Sequence, residues 1–98
     1  MSSVTNPAYA IKTINLNATG GDCQLASIGN WTAATNTCML SKDITGEGIV
    51  IGDNNVILDG NGHTISGTSG NGILVQIKQG VTIKNLKIQN FNTGIYVD

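Results

Sequence analysis

Along the second half of this chain apolar and polar residues alternate in short runs, and the runs recur. Gly48-Ile49-Val50-Ile51, Gly72-Ile73-Leu74-Val75 and Gly94-Ile95-Tyr96-Val97 begin alike, at spacings of 24 and 22 residues. Within the period, Asn55-Val56-Ile57-Leu58-Asp59-Gly60 aligns with Gly80-Val81-Thr82-Ile83-Lys84-Asn85, and Thr64-Ile65-Ser66-Gly67 with Lys87-Ile88-Gln89-Asn90. Each period therefore predicts three short strands separated by turns rich in Gly and Asn. Successive strand side chains point to opposite faces. One inward set is then Ile49, Ile51, Val56, Leu58 and Ile65, and the next is Ile73, Val75, Val81, Ile83, Leu86 and Ile88. Ile95 and Val97 begin a third, and β-branched residues dominate these positions, which suits a pleated surface.

A period of this length is too short for a propeller blade, and the leucine-rich pattern is missing. Three strands per period, linked by tight polar turns, predict an all-β parallel β-helix in which inward Ile and Val stack from turn to turn. Residues 48–98 would make about two turns with an open C-terminal end. Residues 1–47 lack the Gly-Ile repeat and hold both cysteines, the only Trp and the only Pro, so they read as an N-terminal cap over an otherwise exposed strand edge. In that cap Ala10–Asn17 alternates as a strand, Cys23–Ile28 is a weak helix candidate, and Trp31 would plug the end of the core.

Composition agrees with this pattern. Gly, Ile, Asn and Thr supply 49 of the 98 residues, while Ala, Leu, Glu and Lys are too few for a helical bundle. No apolar run is long enough for a transmembrane span. A net charge of −1, with five Lys and no Arg, makes nucleic acid a poor partner.

The stretch Asn55-Val56-Ile57-Leu58-Asp59-Gly60-Asn61-Gly62-His63-Thr64-Ile65-Ser66-Gly67 resembles the opening turn of right-handed parallel β-helix proteins. These form the pectate-lyase-like superfamily, in particular its NosD-like members with PbH1 repeats. In that group a segment like Cys38-Met39-Leu40-Ser41-Lys42-Asp43-Ile44 precedes the first turn, after an upstream Cys. The resemblance spans residues 38–98 and implies a right-handed helix with an N-terminal cap. It says little about chemistry, because lyases, hydrolases, adhesins and surface-layer proteins share the fold.

The polar residues with chemical potential are Asp53, Asp59, His63, Lys78, Lys84 and Lys87. Superfamily members that eliminate from uronates use an Arg base and Ca²⁺-binding Asp clusters, and this chain has no Arg. Glycoside hydrolysis needs two carboxyls about 5–9 Å apart. No carboxylate in the next period lies beside Asp53 or Asp59. Lys84 aligns with Asp59 instead and predicts a surface ion pair between adjacent turns. His63 reads as a turn residue bonding backbone. No catalytic residue, cofactor or metal site is predicted, since the cysteine spacing and the lone His63 make no zinc set. Met1, Met39, His63 and the cysteines make no copper site either.

Cys23 and Cys38 read as a disulfide or, alternatively, as two buried thiols. The bridged form implies an oxidising compartment: extracellular, cell-surface or periplasmic. Asn17-Ala18-Thr19 and Asn30-Trp31-Thr32 are candidate N-glycosylation triplets. Met1–Pro7 has neither the basic nor the apolar region of a signal peptide, so a signal is absent or has been removed.

Ile95, Tyr96 and Val97 would lie on an uncovered edge, which is a polymerisation surface. The reading that follows is a non-catalytic extracellular structural protein that self-associates through its ends, head-to-tail into a filament or end-to-end as a dimer. The alternative is the N-terminal part of a carbohydrate-binding or carbohydrate-active protein. A third reading is a small stand-alone binding module that uses Trp31 and Tyr96 as candidate sugar-stacking residues.

Overall fold

The computed structural model describes residues 11–98, so the part of the expected first strand at Ala10, and all of Met1–Pro7, lie outside the described residues. The elements in order are β1 (Lys12–Ile14), α1 (Asp22–Leu25), β2 (Gly29–Thr32), β3 (Thr37–Leu40), β4 (Ile44–Thr45) and β5 (Ile49–Ile51). They continue with β6 (Ile57–Asp59), β7 (Thr64–Ser66), β8 (Asn71–Val75), β9 (Thr82–Lys84), β10 (Lys87–Gln89) and β11 (Thr93–Val97).

The expected all-β right-handed parallel β-helix is corrected by this arrangement. The strands, of two to five residues, fall into three separate sheets ordered β1-β5-β8-β11, β2-β3-β6-β9 and β4-β7-β10. The second sheet is mixed, because β2 and β3 pair antiparallel, Trp31 opposite Cys38. The linker explains this. Only Ala33–Asn36 separates the two strands, and a parallel return needs a dozen or more residues. The segment before β2 forms a short helical turn at the candidate helix, with Ala26 N–H closing on Asp22 O at 3.0 Å. β1, β3 and β4, from before residue 48, each take a place in one of the three sheets.

Every other pairing is parallel, and the register follows the sequence repeat. Ile49 pairs with Ile73 and Ile73 with Ile95, Leu58 with Ile83, and Ile65 with Ile88. The three sheets share one core. Ile14, Ile49, Ile51, Ile73 and Val75 come from the first sheet, Trp31, Cys38, Leu40 and Leu58 from the second, and Ile44 and Ile65 from the third. The Gly of the first two Gly-Ile pairs is set by close backbone approach rather than by a turn. A Cβ at Gly48 would lie 2.2 Å from Asn71 O, and one at Gly72 would lie 2.6 Å from Gly94 O. The turns themselves use Asn in the left-handed region, at residues Asn36, Asn55, Asn61, Asn85 and Asn90.

Candidate functional site

The two ends of the core are finished differently, and the contrast starts in α1. β1 and β2 are edge strands of the first and second sheets. Edge strands leave every second N–H and C=O without a ladder partner. In this chain α1 supplies partners: the Asp22 carboxylate accepts the Thr13 N–H at 2.8 Å, and the Gln24 side-chain oxygen accepts the Trp31 N–H at 3.0 Å. Gly21 lies so close to β1 that an added Cβ would be 2.5 Å from Thr13 O. The disulfide between Cys23 and Cys38 ties α1 to β3, and beneath it Cys23, Ile28, Trp31 and Leu40 are buried. This end is plugged.

The opposite end is formed by β9, β10 and β11. They follow one another in the chain and pair with β6, β7 and β8, so they make one continuous rim that ends all three sheets. Among the described residues no side chain hydrogen-bonds the backbone of these three strands. The core also opens here. In the column Ile49, Ile73, Ile95 the exposure runs 1 %, 0 % and 44 %, and in Ile51, Val75, Val97 it runs 1 %, 4 % and 68 %. Val81, Ile83, Leu86 and Ile88 on the same rim are only partly covered. The predicted Ile95, Tyr96 and Val97 thus lie together on a strand whose outer edge is unpaired among the described residues. The rest of the rim, β9 and β10, was not singled out in the sequence, although their alignment with β6 and β7 marks them as the same layer.

The other candidate residues hold local structure. Asp53 accepts the Leu16 N–H at 2.8 Å. The expected Asp59–Lys84 ion pair is replaced by hydrogen bonds: Asp59 Oδ1 accepts from Asn61 N at 2.9 Å and from Asn85 Nδ2 at 3.2 Å. The two residues share a register position, but the nearer amides take the carboxylate, and the lysine ion pair among the described residues is Lys12–Glu47. The Asn61 N–H, then the Asn85 amide, hold the Asp59 carboxyl below the usual carboxylate range. His63 bonds backbone through its N–H to Gly60 O at 2.8 Å, and its Nδ1 lies 3.1 Å from Asp43 Oδ1. Asp43 also accepts the Thr64 N–H at 2.9 Å, and that bond, followed by the one with His63, lowers its pKa. Asp43 was absent from the sequence candidates. The pairing of Ile44 with Ile65 is the signal that could have found it, because it brings Asp43 level with Thr64. No hydroxyl or thiol hydrogen-bonds the His63 ring among the described residues. Lys84 and Lys87 are exposed on β9 and β10, and Lys78 is half-buried before them.

Trp31 is largely buried in the plug. It is 9 % exposed, and its ring lies against Gly20, where a Cβ would be 2.4 Å from the ring. Tyr96 is 45 % exposed and continues an outward column from Val50 and Leu74. Asn17 and Asn30 are both exposed. Among the described residues no group of three or more His, Cys, Asp or Glu is placed to hold a metal, and no helix is long and apolar enough to cross a membrane. The formed disulfide fits an oxidising compartment.

No family model, curated protein or solved structure matches this chain.

Proposed function

We propose that this is a non-catalytic extracellular structural protein that works by self-association through its open end. The observation carrying this reading is the asymmetry of the two ends. One is closed at β1 and β2 by Asp22, Gln24 and the disulfide-tied α1, and the other offers three strands, each with an outer edge unpaired among the described residues, around half-open apolar columns. Unpaired edges beside exposed Ile and Val gain both ladder hydrogen bonds and apolar burial when covered.

The same asymmetry selects the partner. Head-to-tail stacking would bring the rim of one copy against β1 and β2 of the next, where Thr13 and Trp31 already spend their N–H groups on α1. The surface of a second copy with matching unmet edges is its own rim. Rim-to-rim contact is isologous and closes at two copies, with strands running antiparallel across the two-fold axis.

Sedimentation velocity on the 98-residue chain over a concentration series tests this. The expected result is a monomer–dimer equilibrium that Val97→Lys shifts to monomer while the circular dichroism spectrum is retained. A folded species that stays monomeric at all concentrations overturns self-association. Open-ended polymers overturn the two-fold form.

A further inference from the structure

The asparagines of two Asn-X-Thr triplets are exposed, and their surroundings differ in a way the sequence does not show. Asn17 lies in the loop between β1 and α1. Its Oδ1 accepts hydrogen bonds from Thr19 N at 3.0 Å and Gly21 N at 2.8 Å, and the single hydroxyl proton of Thr19 is within reach of both this oxygen, at 3.1 Å, and Gly21 O, at 3.0 Å. The fold therefore uses only the oxygen of this amide, and Nδ2 donates to no protein group among the described residues. The Thr19 hydroxyl already lies within hydrogen-bond distance of the amide whose nitrogen would react. Partners two and four residues away make the turn, so it forms locally, before the sheets are complete.

Asn30 sits instead on the edge strand β2, in extended backbone, with no hydrogen bond from Thr32 to its side chain among the described residues. The middle residue of its triplet is the buried Trp31, whose N–H is held by Gln24, and the Cys23–Cys38 bridge brackets the strand. Offering this triplet to an enzyme requires β2 to be peeled from β3.

We infer that Asn17, and not Asn30, is an N-glycosylation site. The donor class is a sugar joined through phosphate or pyrophosphate to a polyprenyl lipid. Asn17 Nδ2 attacks the anomeric carbon; the C–N bond forms as the C–O bond to phosphate breaks. The phosphate leaves with that electron pair, and the amide nitrogen loses one proton to the transferase base. Oδ1 keeps its acceptor role, so the turn bonds from Thr19 N and Gly21 N survive the modification. The first sugar would rest beside a shallow hollow lined by Leu16, Ala18, Trp31 and Ala33. A glycan there stands next to the plug and away from β9, β10 and β11. This inference does not rest on the self-association reading.

The test is secretion of the whole chain from a glycosylating eukaryotic host, followed by N-glycosidase release in ¹⁸O water and peptide mapping. The expected result is heavy-Asp conversion at residue 17 and none at 30. Thr19→Ala is expected to abolish the glycan, with Thr19→Ser and Asn30→Gln retaining it. Secreted wild-type chain without a glycan overturns the inference, and so does occupancy at Asn30 equal to or above that at Asn17. Mapping the wild-type chain decides the matter even where a variant fails to fold.

Discussion

Thr13 donates its backbone N–H to Asp22 Oδ2 over 2.8 Å, so the outer edge of β1 is closed by a side chain nine residues further along the chain. Gln24 does the same for β2 at Trp31. Replacing both acceptors, in Asp22→Ala/Gln24→Ala, leaves two strand edges free while removing little apolar surface. A hydrogen bond to a charged group contributes about 1.5–3 kcal/mol and a neutral one about 1 kcal/mol, so a destabilisation of about 2–4 kcal/mol is expected in urea melts. The same variant should give species larger than a dimer by light scattering, because it opens a second end. A variant that is destabilised but no larger would show that the plug serves stability alone.

Ile77 occupies the left-handed region at φ 53° with 85 % of its surface exposed. A β-branched residue is strained there, at about 1–2 kcal/mol for an L-residue, and exposure means that no packing offsets it. Ile77→Asn is expected to raise stability by about 1 kcal/mol, a shift of roughly 4–8 °C in a domain of this size. An unchanged or lower melting temperature in differential scanning calorimetry would contradict this.

The Cys23–Cys38 bridge spans 15 residues and holds α1 over the end of the core. A loop of that length stabilises by about 3 kcal/mol in the chain-entropy model. Cys23→Ser/Cys38→Ser should lose about that much in guanidinium denaturation, and reductant should have the same effect on the wild type and none on the variant.

Asp59 has its pKa lowered by the Asn61 N–H and the Asn85 amide. A carboxyl with a depressed folded pKa contributes stability above its unfolded value, about 3.9, and loses it as pH falls through the folded value. Stability of the wild type is expected to decline below about pH 4, and Asp59→Asn should make that decline shallower. Parallel acid-denaturation curves for the two proteins would rule out this contribution.

The sequence repeat made much of this legible, for a physical reason: an inward column must be apolar in every layer. Gly48-Ile49, Gly72-Ile73 and Gly94-Ile95 therefore announce their own pairing, and with it Tyr96 and Val97 on the outermost strand. The misreadings come from interactions with no period. Asp22–Thr13, Gln24–Trp31 and Asp43–His63 are single side-chain bonds across 9, 7 and 20 residues, and nothing in the spacing of those residues marks them. The antiparallel β2–β3 pair was hidden because Ala33-Ala34-Thr35-Asn36 lacks the Asn-Gly or Asp-Gly signal of a tight hairpin. Trp31 looked available for sugar because aromatic residues serve both in cores and on binding surfaces, and only Gly20 beneath its ring decides between them.

The plug has a further consequence in time. All of its bonds join residues between Thr13 and Cys38, whereas β9, β10 and β11 pair with residues 22–25 positions before them. Each of these later strands thus meets nearly the same loop-closure cost, about 2.7 kcal/mol, and adds to a template that already exists. In a chain that emerges N-terminus first, folding can advance strand by strand in the order of synthesis. In that order the bonds that close β1 and β2 join residues made before the trailing edges, so such a nascent chain would offer neighbours chiefly its growing face.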